Sequence, residues 1–495
     1  MAFRVLIIGG SVAGLTLANI LEQYGIDYLL LEKYDAIAPQ LGASIALLPY
    51  GMQIMDQIGL LNRLLDIGEG VDCTLLRGPA AERLKDFDMF GDWLEELFGT
   101  RMTFMERQQL VQVLYDHLKD KSKVLTSCAV QTIDQTDGQV QVTTTNGDVF
   151  SGQLVVGADG VHSRVREEMW RHEAMSNLRF DVEEMRRSIT CTYRCMFGIS
   201  PKPEQHILNH TFKVYHHNAS YLCADGPMGN MYWFAFFKNE RQTTGRDIPR
   251  YTAEDEAALL AERGGDALFN DIKFKDLYES RSRATLVPLE EFVLEKSFHK
   301  RVVLIGDSFH KMLPLIGHGG NSAIESAALL ADLLMDELQQ NKSPPTNASI
   351  ERALSTFDRR RRPRTRALQQ ASLDLQQLEA LEDPVKKFMM LRVASSLPFE
   401  KLALLGYIQS VTPSHTLHYL PAPTRKGRFP FTDGGVQVDE RPTSVTLTSC
   451  ILLLTLALIG YFTSQKAISD SIIPVYALWV VESYRPAFLL SPLSL

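Results

Sequence analysis

Residues 5–32, VLIIGGSVAGLTLANILEQYGIDYLLLE, constrain the fold more than any other stretch of the chain. Val5, Leu6, Ile7 and Ile8 form an apolar run that predicts a short buried strand. A glycine turn then feeds a helix whose Leu15, Ala18, Leu21 and Tyr24 share one face. Gly25 stops that helix, and a second apolar run, residues 28–31, delivers Glu32 at its carboxyl end. A strand, helix, strand unit of this length suits an ADP moiety. Glycines in the turn let backbone amides approach a pyrophosphate, and the helix N-terminus adds unpaired N–H groups and a favourable dipole. Glu32 is placed to accept hydrogen bonds from the ribose. The turn departs from the usual fingerprint, because Ser11 stands where Gly is expected and the glycines are Gly9, Gly10 and Gly14. An ordinary buried strand and helix shares the apolar pattern; the order of strand, turn, helix and acid favours the nucleotide.

Two later strands end in related turns. Residues 153–166, QLVVGADGVHSRVR, read as a buried strand closing on Gly157, Asp159 and Gly160, followed by a short helix with Arg164 and Arg166. Residues 301–307, RVVLIGD, read as another, closing on Gly306 and Asp307. After Pro314, Gly317, Gly319 and Gly320 precede a strongly apolar helix, whose first amides are free to meet an electron-rich ring edge.

Between these turns the pattern changes. Small residues from Gly42 to Ala46 let backbone pass close to a ligand before a helix near Gly51. Arg107 opens the helical run RQQLVQVLYDHL, where the dipole disfavours a cation; an anionic ligand or a nearby carboxylate would each explain it. Residues 124–149 alternate around two Gly turns and predict an antiparallel meander. Residues 178–290 are dominated by strands and aromatics such as Phe197, Phe212 and Tyr221, as expected of an inserted sheet that holds an apolar ligand. The arginines at 359–362, 364 and 366 read as an ion-paired or solvated face at a helix end.

A formal charge of -8 argues against a nucleic-acid surface. The six cysteines include no CxxC pair, so reduced thiols facing the cytosol are expected and no metal site is. No secretory signal is expected ahead of the first strand. Residues 445–462 carry no charge over 18 positions, enough to cross a bilayer core, and follow a polar, Pro-rich linker, which favours a membrane anchor over a buried helix. The run 472–481 is shorter and contains Pro474, which suits an interfacial segment.

Taken together, the dinucleotide turn with Glu32, the segment of Asp159 and Gly160, and the segment of Gly306 and Asp307 resemble the group A FAD-dependent monooxygenases over roughly residues 3–370. The resemblance implies an α/β fold: a Rossmann-like FAD-binding domain of the glutathione-reductase type, an inserted β-sheet substrate domain and a C-terminal helical and membrane segment. The expected divisions are 1–177 and 291–375 for the FAD-binding domain, 178–290 for the sheet, 376–443 for a helical segment and linker, and 444–495 for the membrane-associated tail. It implies FAD contacts at Gly9, Gly10, Ser11, Gly14, Glu32, Ala46, Arg107, Asp159, Gly160, Asp307 and Gly320. It also implies NAD(P)H as a transient electron donor, since no second dinucleotide unit is visible, and O2 activated as a flavin C4a-hydroperoxide.

Within the family, GASIALLPYG, TYRCMFGIS and the apolar C-terminus look most like the fungal enzymes that epoxidise prenyl chains in meroterpenoid and indole-diterpene pathways. That implies an apolar prenylated substrate, membrane lipid at the C-terminus, a catalytic unit facing the cytosol and a pathway cyclase as a candidate partner. Some relatives that hydroxylate phenols use an Arg and Tyr pair in the sheet, which points to Arg194 and Tyr215 as catalytic candidates; an ion-paired Arg and a packed Tyr are the other reading. The competing functions are a flavin-dependent halogenase, disfavoured by four scattered tryptophans, a prenyl reductase, and a lipid-binding module without flavin chemistry.

Overall fold

The first apolar run forms β1 (Arg4–Ile8), followed by α1 (Val12–Tyr24) and β2 (Asp27–Leu31). The strands are parallel, with Val5 opposite Tyr28 and Ile8 opposite Leu31. Gly25 ends α1 in the left-handed conformation, φ 71°, which lets the amides of Gly25 and Ile26 return to the carbonyls of Glu22 and Leu21. The computed structural model describes residues 3–39, 44–136, 138–204, 210–340, 345–394 and 398–428.

In chain order the elements that matter next are β3 (Ser44–Leu47), β4 (Thr103–Glu106), α2 (Arg107–His117), β5 (Leu154–Gly157) and α3 (Arg164–Ser176). They are followed by β6 (Thr190–Pro201), β7 (His210–His216), β8 (Ala219–Asp225), β9 (Asn230–Thr244), β10 (Arg283–Val293) and β11 (Val302–Leu304). Two long helices, α4 (His318–Gln340) and α5 (Asn347–Glu379), complete the set.

One sheet runs β11, β5, β1, β2 and then Val124–Leu125, all parallel, with Phe298–His299 antiparallel at the β11 edge. Val5, Leu6, Ile7, Val155, Val156, Val302 and Val303 are fully buried, as strands covered on both faces require. Because the strands are parallel, the turns after β1, β2, β5 and β11 all open on the same edge, where such sheets form their ligand crevice.

A second sheet of eight strands carries β10, β6, β9, β8 and β7, followed by Cys73–Arg77 and Arg83–Phe87. The last two come from the N-terminal third of the chain, a long-range pairing that local pattern did not reveal. Its inner face presents Tyr193, Cys195, Leu222, Tyr232 and Phe236 to Ala46, Phe104, Leu313 and Leu315. Its outer face presents Met196, Val214, Trp233 and Phe237 to the helices Ala253–Arg263 and Phe274–Glu279. The alternation of side chains along each strand produces these two faces. A small antiparallel sheet of β3, β4 and Glu69–Gly70 lies beside the first of them, and the expected meander forms as Val130–Thr136, Gln139–Thr144 and Val149–Gly152.

Some expectations change. The helix near Gly51 begins at Pro49, where a proline fits the first turn. The helix carrying Arg164 and Arg166 is 13 residues long rather than short. Gly319 and Gly320 lie inside the first turn of α4 instead of before it. The arginine run falls in the middle of α5, and Arg361, expected on an ion-paired or solvated face, is fully buried and paired with Glu325 at 2.7 Å. Arg364 reaches the same carboxylate at 2.9 Å. The apolar runs 445–462 and 472–481 lie outside the described residues; among the described residues no helix is long and apolar enough to cross a membrane.

Burial raises the Glu325 carboxyl, but Arg361 and Arg364 outweigh it and hold the group down at about 2. Since its unfolded value lies near 4.3, this acid stabilises the fold fully above that pH and ceases to do so as pH falls toward 2. Removing it leaves two guanidiniums facing each other in the interior. Glu325→Gln is expected to cost about 3–5 kcal/mol in chemical denaturation at neutral pH and to flatten the loss of stability between about pH 4.5 and 2.

Candidate active site

The crevice begins at the turn after β1. A Cβ on Gly14 would lie 2.0 Å from the carbonyl oxygen of Gly9, so α1 rises directly off the turn only because residue 14 has no side chain. Ser11 occupies the N-cap position of α1 without making a side-chain cap. Its hydroxyl instead accepts a hydrogen bond from Arg107 Nη2 at 2.7 Å. The departure from the glycine fingerprint thus ties the cation of α2 to the turn, and the first amides of α1 stay uncapped. Arg107 thus has a hydroxyl partner, and the Asp307 carboxylate is near enough to feel its charge, so both readings of this cation stand.

Glu32 is buried at the end of β2. Its carboxylate accepts from the Gly10 amide at 2.6 Å and the Tyr34 amide at 3.0 Å, bracing the turn. An ionised carboxylate has capacity for further donors, which leaves room for a ribose hydroxyl.

Asp159 and Gly160 are tied into the protein by side-chain hydrogen bonds. The Asp159 carboxylate serves the protein itself: it accepts from the Ser163 hydroxyl, from the Val165 amide at 3.0 Å and from Ser308 Oγ at 3.0 Å. Ser308 Oγ also accepts from the Gly160 amide at 3.0 Å. Arg166, buried between Trp170 and Phe292, donates to the carbonyls of Val161 and Ser308. The segments after β5 and β11 are therefore bolted together, with Gly160 at φ 82° and open space on the side a Cβ would occupy.

Asp307 sits one residue past Gly306, which is squeezed between Ala13 and Ala323 at φ 58°. Lys311 Nζ lies 3.0 Å from the Asp307 carboxylate. Burial raises that carboxyl, but Lys311 and Arg107 prevail and hold it below the usual carboxylate range. It is an ionised acceptor at neutral pH.

Asn321, absent from the sequence reading, organises the glycine loop. Its Nδ2 donates to the Ala46 and Gly317 carbonyls, each at 2.8 Å, and its Oδ1 accepts from the Leu48 amide at 2.9 Å. Gly317 is left-handed, φ 69°, and a Cβ on Gly320 would meet Ile45 Cδ1 at 2.5 Å. Behind the loop, His318 Nδ1 lies 3.0 Å from Tyr50 Oη, and burial together with Arg364 pushes the His318 ring down to about 3. A lone Asn in a helical pattern has no periodic signature; only its position after the glycines could have drawn attention to it.

Arg194 and Tyr215 require a correction. Arg194 is in register with Phe237, Phe237 with Ala219, and Ala219 with His216. Partners in register share a face, so Arg194 and His216 point one way and Tyr215 the other. Arg194 lies on the outer face, its guanidinium 5.9 Å from the Tyr251 ring centroid. Tyr215 is fully buried on the inner face, in register with Ser220, whose Oγ accepts from Gln376 of α5. Three strand spacings, about 14 Å, and the thickness of the sheet separate them, so the pair does not form.

The residues present fit FAD: an uncapped helix N-terminus with Arg107 beside it, an acid at the ribose position, an ionised Asp307, and a glycine loop without room for side chains. The family model described as "FAD binding domain" matches residues 2–372. The chain is 36% identical over 491 residues to the FAD-dependent monooxygenase asqG of Emericella nidulans, covering 98% of this chain and 86% of that protein. It is 38% identical over 378 residues to the FAD-dependent monooxygenase ptmM of Penicillium ochrochloron, covering 76% and 89%. Among solved structures, Klebsiella pneumoniae HpxO complexed with FAD and uric acid superposes with a TM-score of 0.68 at 20% identity, covering 83% of this chain and 96% of that one, which shows the shared fold.

Four variants have expected outcomes. Asn321→Ala removes the partner of three backbone groups, two of them buried, each buried one worth about 1–3 kcal/mol, and should lower FAD affinity at least about tenfold in a flavin-release titration. Arg107→Ala should weaken FAD by a similar factor, and Ser11→Gly by a smaller one. Arg194→Ala should leave FAD content unchanged and turnover within about threefold, because the side chain faces away from the crevice.

Proposed function

Because the chain belongs to the FAD-binding-domain family of FAD-dependent monooxygenases, we propose that it uses NAD(P)H and O2 to epoxidise or hydroxylate an apolar prenylated substrate in fungal secondary metabolism. The observation that carries this reading is the half-buried apolar lining of the inner sheet face, Phe197, Phe234 and Val287, with Leu373 and Leu375 of α5 beside it. An aromatic and aliphatic wall beside the glycine loop suits a hydrocarbon chain; the lysines on the same face, Lys213 and Lys238, are already paired with Glu379 and Glu382.

Bound FAD supplies acceptance of hydride from the nicotinamide and activation of O2 for electrophilic oxygen transfer. The chain's own residues do the rest. The amides at the start of α1 and Arg107 would hold the diphosphate of bound FAD, Glu32 its adenosine ribose, and Asp307 its ribityl side. Asn321 ties the loop at Gly317 to β3, so that backbone and not side chain would face the ring of bound FAD. The apolar face excludes water and aligns the substrate double bond, and that alignment is where protein control of such a reaction lies. Among the described residues a single parallel sheet carries a dinucleotide turn, which supports a nicotinamide cofactor that visits the site transiently.

In the same reading residues 445–462 anchor the enzyme to a membrane, with the catalytic unit facing the cytosol, so that a substrate dissolved in the bilayer is concentrated near the site. A pathway cyclase acting on the oxygenated product is the candidate partner.

Incubation with prenylated aromatic acceptors, NAD(P)H and isotopically labelled O2 tests the activity. One labelled oxygen atom in the product supports the reading; reduction of the prenyl chain without O2 uptake, or halide incorporation, overturns it. Removal of residues 440–495 should give a soluble, yellow protein whose colour bleaches on adding NAD(P)H. A colourless truncated protein would count against a separate anchor.

A further inference from the structure

The inner face of the large sheet has a polar corner that holding the cofactor leaves unused, apart from the lysines on that face that Glu379 and Glu382 already pair. Tyr232 on β9 is fully buried in an apolar cluster with Ala46 and Phe104, and its hydroxyl has no hydrogen-bond partner among the described residues. Ser44 and Glu106 are opposite each other on β3 and β4, each two residues from Ala46 or Phe104, and therefore share the face that meets Tyr232. The Ser44 hydroxyl is buried and likewise without a partner among the described residues. Glu106 Oε2 accepts from Arg283 Nη2 at 2.7 Å, which joins the small sheet to the start of β10.

Buried hydroxyls are nearly always paired, and leaving one unpaired costs more than replacing it with carbon. Phe would fill the position of Tyr232 in this apolar cluster, so a phenol there calls for a ligand. Burial pushes the phenol up, Glu106 adds to the effect and Arg283 only partly opposes it, so the hydroxyl stays protonated and acts as a donor. Glu106 beside it is an acceptor. A donor and an acceptor set in an apolar cluster recognise a neutral group that both accepts and donates.

We infer that Tyr232, with Glu106 and Ser44, is a polar anchor that binds the hydroxyl or amide head of an otherwise apolar substrate. By holding the head, the anchor sets which part of the chain lies against the glycine loop. This deepens the preceding reading and rests on its assignment of an apolar substrate to the inner face.

The test compares wild-type holoenzyme with Tyr232→Phe, titrated with farnesol and with farnesene while the flavin absorbance is followed. The wild type should bind farnesol at least about tenfold more tightly than farnesene, and the variant should lose most of that preference with farnesene affinity unchanged. FAD content should be unaltered and the melting temperature without ligand equal or higher, since an unpaired buried hydroxyl has been removed. Equal affinities in the wild type, a preference that survives in the variant, or a lower melting temperature overturns the anchor. Loss of FAD from the variant assigns the hydroxyl to the cofactor and overturns it as well. Oxygen insertion is measured in the same samples: binding preference without insertion counts against the proposed reaction alone and leaves the anchor standing.

Discussion

The nucleotide half of the molecule depends on how closely α1 approaches the turn that precedes it. With 2.0 Å between the Gly9 carbonyl and the place a Cβ on Gly14 would occupy, no other residue fits position 14 without moving the helix. That approach brings the uncapped amides of α1 to the crevice, and it leaves a slot between Ala13 and Ala323 into which Gly306 fits. Asp307 follows Gly306, so the acid after β11 is placed by the packing of two helices as much as by its own strand.

A second layer of organisation is electrostatic and internal. Asp159, Ser308, Gly160 and Arg166 spend their hydrogen bonds on one another, joining the turns after β5 and β11 into a rigid rim. Under α4, one carboxylate answers two guanidiniums, while His310 and His318 are held neutral by burial, down to about 3. Ionised groups remain in the interior only where a partner offsets the cost of removing them from water.

The large sheet separates two kinds of chemistry by its pleat alone. Its outer face packs on helices and takes Arg194; its inner face is apolar beside the glycine loop and takes Tyr193, Tyr215 and Tyr232. A shift of one residue in register would exchange them. The expected pairing of Arg194 with Tyr215 failed on this point, since strand order and register belong to pairings between distant segments.

By itself the sequence determined the strand, turn, helix and acid of residues 5–32, the turns at Asp159 and Asp307, and the presence of a strand-rich insertion with apolar aromatics. These are written in periodicity and in glycines whose backbone conformation no other residue adopts easily, so they are local and legible. The tertiary structure alone decided that Ser11 holds Arg107, that Asn321 pins the glycine loop to β3, that Arg361 is buried, and that the Tyr232 hydroxyl on the inner face has no partner among the described residues. Each of these depends on residues far apart in the chain, and an isolated Ser, Asn, Arg or Tyr leaves no periodic trace of the neighbours it will meet.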